Sequence, residues 1–175
     1  DESAIARASA LERLARLGGE NAFLSAEAGL KDASPLVRHA AVGVFENTPP
    51  EQRLAIAPLL GDPIRAVRVR SARALAPLPE QALGPANAAA YAKAADEYVA
   101  SERFNADRPE NRTNLGGFFA ERGRYMEAEA QFRSAIELDP LFVPAWVNVS
   151  DLMRMGEGER DAEELLREGV AKSPS

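Results

Sequence analysis

Residues 109–142 read PENRTNLGGFFAERGRYMEAEAQFRSAIELDPLF. Leu115, Gly116, Phe119, Gly123, Tyr125, Ala128, Phe132, Ala135 and Pro140 outline two helices joined at a tight turn. Small residues fall where the two helices cross closely, large ones fill the gaps, and Pro140 ends the second helix. A shift of thirty-four residues brings the pattern back. Val149 then stands for Leu115, Ser150 for Gly116, Met153 for Phe119, Ala162 for Ala128, Leu166 for Phe132, Gly169 for Ala135 and Pro174 for Pro140. Trp146 takes the place of Arg112, and the second turn reads Met155-Gly156-Glu157-Gly158. A fixed period of this length marks stacked helix pairs, none of which buries its apolar side alone.

The pattern resembles the tetratricopeptide (TPR) repeat, whose signature runs Trp, Leu-Gly, Tyr, Ala, Phe, Pro in a helix–turn–helix. Only the leading Trp of the first copy is missing. The resemblance implies that the first helix of each pair lines a concave surface that takes extended peptides. The positions facing it would include Glu110, Ala120, Pro144 and Met155, with a candidate peptide groove of Thr113, Asn114, Gly117, Glu121, Val147, Asn148, Asp151 and Arg154. An asparagine amide both donates and accepts, so Asn114 and Asn148 suit a peptide backbone; equally, asparagine there is a plain feature of the family. The Lys and Arg of the family's carboxylate clamp are lacking, which speaks against recognition of chaperone tails. Shifted backwards by thirty-four, Tyr91, Ala94, Tyr98, Ser101 and Phe104 make half a motif. The three prolines between Pro77 and Ala90 predict a linker running into a helix over about 85–105.

The first half repeats near thirty. Asp32-Ala-Ser-Pro-Leu-Val-Arg matches Asp62-Pro-Ile-Arg-Ala-Val-Arg, and Phe45 matches Leu75; Ala6-Arg7, Ala10-Leu11 and Leu14 form a weaker copy. Ser34 suits an N-cap and Pro35 the first helical position. Leu36, Val37, Ala40, Ala41, Val44 and Phe45 follow at helical spacing. A second, short helix is expected from about Glu51 to Leu60. On the next helix Ile64, Val67, Ser71, Ala74 and Leu75 share one side, leaving Arg65, Arg70 and Arg73 to solvent. This block resembles HEAT repeats, and that resemblance implies a structural ladder of Asp32, Arg38, Asp62 and Arg68 between neighbouring repeats. The expected fold is thus all-α, a right-handed α-solenoid (α–α superhelix). It divides into HEAT-like repeats over 1–78, a linker and degenerate helix over 79–108, and two TPR repeats over 109–142 and 143–175.

Composition narrows the function. The chain of 175 residues has no cysteine and one histidine, His39, so no thiolate site, disulfide or paired nucleophile and base can be assembled from it. Residues 1–80 carry ten basic and ten acidic side chains. Residues 81–175 carry eleven and seventeen, which places the whole net charge of −6 there. An acidic half repels phosphate backbones, so nucleic acid is not an expected partner. No apolar run is long enough for membrane insertion. No catalytic, cofactor or metal site is expected.

The junction Tyr98-Val-Ala-Ser-Glu-Arg-Phe-Asn-Ala-Asp-Arg-Pro-Glu, with Asn114-Leu115-Gly116 and Pro144-Ala-Trp-Val-Asn-Val-Ser-Asp-Leu, resembles the C-terminal HEAT-plus-TPR region of bacterial multihaem cytochrome c fusion proteins. That resemblance implies a non-catalytic docking arm of an exported, periplasmic redox protein. No Cys-x-x-Cys-His occurs, so any haem would lie elsewhere. Asp1 and Ser173-Pro174-Ser175 read as the ends of an excised piece. Two other readings stand beside this one: a cytoplasmic TPR adaptor for peptides, and a structural module that forms homo-oligomers.

Overall fold

The computed structural model describes residues 2–156 and 158–172. Asp1, Glu157 of the expected turn, Pro174 of the repeat pattern and the Ser173–Ser175 end lie outside the described residues. Every regular element among the described residues is helical. Two compact units are present, Asp1–Tyr98 and Val99–Ser175.

The first unit begins with α1 (Ala4–Leu17), α2 (Glu20–Gly29) and α3 (Pro35–Phe45). The Ser3 side chain accepts from the Ala6 N–H and caps α1. A 3-10 helix, Pro50–Gly61, and α4 (Arg65–Leu75) follow. α5 (Glu80–Phe104) breaks at Gly84, whose φ of 69° suits glycine, and resumes as regular helix from Pro85. α3 packs on both α1 and α4, while α2 packs against α1 and α3, and the 3-10 helix against α4 and α3. Ala26, Ala41, Val42, Phe45, Ile56, Val67, Ala72 and Leu75 make a continuous core, with Phe23 edge-on to Phe45 at 5.2 Å.

Four local expectations need correction. The segment after Pro50 is 3-10 rather than α, with Pro58 inside it. Ser34 occupies the N-cap position of α3 but makes no capping bond through its side chain. Asp32 Oδ1 accepts the Ser34 N–H at 2.8 Å, ahead of the helix. Leu36 and Ile64 are exposed, not core. Both sit at the helix mouth, and Ile64 is turned by the bond from its own N–H to Asp62 Oδ1. Finally, Arg70 and Arg73 are half-buried, and only Arg65 of the three faces solvent fully.

The second unit contains α6 (Pro109–Glu121), α7 (Tyr125–Leu138), α8 (Val143–Gly156) and α9 (Glu159–Lys172). Each helix packs on the next, and α6 also touches α8. Gly123, at φ 70°, makes the turn between α6 and α7. Three pairs thirty-four apart are buried alike: Leu115 with Val149, Gly116 with Ser150, and Ala128 with Ala162. Phe104 and Leu138, at the same separation, are both exposed.

Candidate functional site

Two constellations carry the polar chemistry of the chain. In the first unit a ladder of arginines runs from helix to helix. Arg7 binds Asp32 through Nε and Nη2, both at 2.9 Å. Arg38 binds Asp62 in the same way at 2.6 and 3.0 Å. Arg68 binds Glu97 at 2.9 and 2.8 Å. Each guanidinium also reaches back to carbonyls just before its own helix, as Arg7 Nη1 does to Glu2. Arg38 Nη1 donates to the carbonyls of Asp32 and Ala33, and Arg68 Nη1 to those of Asp62 and Pro63. Bidentate pairing of this kind fixes orientation as well as distance. Asp32, Arg38, Asp62 and Arg68 therefore hold helices together, and Glu97 on α5 provides a rung that the repeat spacing did not reveal.

The carboxylates of the ladder respond accordingly. The hydrogen bond from Arg7 holds Asp32 below its ordinary pKa, helped by the Ser34 N–H. Burial pushes Asp62 upward, but the Arg38 bond and the Ile64 N–H outweigh it and leave the group lowered. Arg68 lowers Glu97.

Between α3 and α4, Arg70 lies over Gly43, where a Cβ would collide with the guanidinium. It binds Glu46 at 2.8 and 3.0 Å and approaches His39 Nδ1 at 3.1 Å. Burial, then the charge of Arg70, lowers the pKa of His39. Arg53, which the sequence gave no reason to single out, ties the 3-10 helix to two helix ends. It donates to the carbonyls of Thr48, Glu46 and Ala74.

The expected groove residues lie on α6 and α8, helices that touch. Gly117 is half-buried, and a Cβ there would meet nothing within 4 Å. Glu121, Val147 and Asp151 are exposed, and Asn148 is half-buried. Thr113 instead turns inward, its Oγ1 buried without a hydrogen-bond partner among the described residues. Asn114 is exposed but engaged: its amide donates to Glu102 Oε2 at 3.2 Å, which also accepts from Asn111 at 2.9 Å. Arg154 pairs with Asp151 at 2.6 Å and reaches Glu159 at 3.4 Å. The two asparagine–carboxylate contacts were not legible, because Glu102 lies outside the thirty-four-residue pattern. The α6 surface is thus open at Gly117, while Asn114, Asp151 and Arg154 on the same two helices are already paired within the chain.

Compared with known proteins, the chain matches no family model, no curated protein and no solved structure. Among the described residues no cluster of three or more His, Asp or Glu is placed to hold a metal ion. No described helix is long and apolar enough to cross a membrane.

Proposed function

We propose that this chain is a non-catalytic protein-binding scaffold, a HEAT-like stack followed by two TPR repeats, that takes a protein or extended peptide along α6 and α8. The repeat reading draws its support from contacts that recur at the period of the sequence. The Arg–acid rungs recur near thirty residues in the first unit. In the second, Gly116 lies so close to the Phe132 ring that no Cβ fits between them. Thirty-four residues on stand buried Ser150 and half-buried Leu166.

The observation that carries the binding reading is the open surface at Gly117 on α6, which also bears Asn114 and touches the α8 that bears Val147, Asn148 and Asp151. A ligand would compete for Asn114 with Glu102, so a peptide group that accepts a hydrogen bond there would be favoured. The resemblance to cytochrome fusion proteins adds the setting, a docking arm of an exported redox protein in the periplasm.

A peptide array probed with the full chain tests this. Saturable binding that Gly117→Arg abolishes, with the circular dichroism spectrum unchanged, is the expected result. An array with no peptide held above background, or binding indifferent to Gly117→Arg, would overturn it.

A further inference from the structure

We infer that the cleft between α2 and the 3-10 helix is a two-fold interface, at which the chain pairs with a second copy of itself. Only first-unit residues take part, and none of them belongs to the peptide groove proposed on α6 and α8.

The cleft opens where neighbouring elements fail to close on each other. α3 packs directly on α1 and on α4. α2 and the 3-10 helix both lean on α3 but do not pack closely on one another. Between them lies a cleft of 570 Å³, with Leu24 and Ala28 on one wall, Ala55 and Pro58 on the other, and Leu30 and Leu59 at its base. The four wall residues are exposed, while Leu30 and Leu59 are buried. The two walls belong to consecutive helix pairs, α2 with α3 and the 3-10 helix with α4. In a stack each pair meets only its neighbours, so a further pair at either end would not fill this gap.

Charge selects the occupant. Glu27 and Lys31 stand on the α2 side of the cleft, the acid four residues before the base. Three pairs of that order and spacing close on themselves: Glu129 with Arg133 at 2.7 Å, Glu163 with Arg167 at 2.8 Å and Glu168 with Lys172 at 2.7 Å. Glu27 and Lys31 do not. Among the described residues neither makes an ion pair or a side-chain hydrogen bond.

An acid and a base left open one helical turn apart are their own complement. When two copies of α2 run antiparallel about a two-fold axis midway between these residues, Glu27 of each faces Lys31 of the other. Two ion pairs then form where the single chain has none. The same axis brings the apolar walls together, so Leu24, Ala28, Ala55 and Pro58 leave water. A partner of another sequence would need base and acid in reverse order at the same spacing, which a second copy turned around already has. So short a face falls below the ~800 Å² per partner of a standard interface, and the dimer should dissociate on the order of 10–100 µM.

Sedimentation equilibrium of the full chain, up to about 500 µM, tests this. It should show a monomer–dimer equilibrium that weakens as salt is raised. Glu27→Lys and Lys31→Glu each set like charges across the axis and should weaken the dimer about tenfold or more. The double reversal should restore it to within about threefold. Both side chains are exposed, so the variants' melting temperatures in dilute solution should match the parent's. A chain that stays monomeric throughout overturns the inference. So does a dimer that the single reversals leave intact, or one that they dissolve and the double reversal does not restore, since the two residues would then not face each other. The peptide array on the same proteins separates the two readings. Peptide capture without a dimer removes this interface alone, and a dimer without capture removes the groove alone.

Discussion

Arg112 and Trp146, thirty-four residues apart, make the same bond. Arg112 Nε donates to the carbonyl of Ala106 at 2.9 Å, and Trp146 Nε1 to that of Pro140 at 3.0 Å. In each case the acceptor lies six residues earlier, so the guanidinium replaces the indole as a donor. The difference shows on the opposing helix. Trp146 lies against Gly169, where a Cβ would sit 2.9 Å from ring atom Cδ2. Ala135 stands thirty-four residues before Gly169, and Arg112 Nη1 reaches Gln131 on the same helix, α7, at 3.0 Å.

The two positions should therefore be coupled. Arg112→Trp alone is expected to cost about 1–3 kcal/mol by overpacking against Ala135, and Ala135→Gly should recover part of that loss. Gly169→Ala should cost a similar amount by displacing Trp146. Urea unfolding of the two single variants and the double variant measures the coupling. Strict additivity would refute the shared geometry.

Gly116 and Gly117 are neighbours with opposite expectations. At Gly116 a methyl group would enter the Phe132 ring, which is itself buried. Gly116→Ala should destabilise by roughly 1–2 kcal/mol after its gain in helix propensity is counted. Gly117→Ala meets open space in the middle of α6 and should stabilise by about 0.5–1 kcal/mol. Thermal melts of the two variants should shift in opposite directions.

The ladder predicts acid sensitivity in the first unit. Asp32, Asp62 and Glu97 all have folded pKa values below their ordinary 3.8, 3.8 and 4.5. Their stabilisation is thus complete above the unfolded values and is lost as pH falls through the folded ones. The ladder's contribution to stability should stay level from neutral pH down to about 5 and drop below about 4. Asp62→Ala leaves the half-buried Arg38 without its carboxylate and should cost about 3 kcal/mol at pH 7. The variant should also show a shallower acid transition in a pH series of denaturant melts.

These consequences also mark what a sequence can disclose. Asp32 and Arg38 were legible through the resemblance to HEAT repeats, which implies an Asp–Arg ladder at that spacing. Gly116 was legible because its place in the thirty-four-residue pattern calls for a small residue, and Ser150 fills it in the next copy. Glu97 and Glu102 were not, since each meets its partner through tertiary packing and neither sits in a repeated place. Arg53 is the plainest case. Its three acceptors are backbone carbonyls, which every residue carries, so no side-chain pattern points to them. Pro58 did carry a signal against an α-helix, but the apolar residues around it, Ile56, Ala57, Leu59 and Leu60, bury equally well on a 3-10 path. The exposure of Val143 and Val170 needed coordinates, because apolar spacing in the sequence does not tell a buried side chain from an exposed one.

His39 gives a direct reading of the α3–α4 contact, because it is the only histidine in the chain. Burial is the larger cause of its lowered pKa and Arg70 the second. Removing the guanidinium with Arg70→Gln should raise the His39 pKa toward the ordinary 6.5 without reaching it, since the burial remains. Gly43→Ala should do much the same, by pushing Arg70 off its seat between Glu46 and His39. Because the neutral form is favoured in the fold, His39 lowers stability as pH falls below 6.5, and the Arg70 variant should lose less over that range. The imidazole resonances of a single-histidine protein follow this titration without assignment. An unchanged midpoint in both variants would mean that Arg70 does not face the ring in solution.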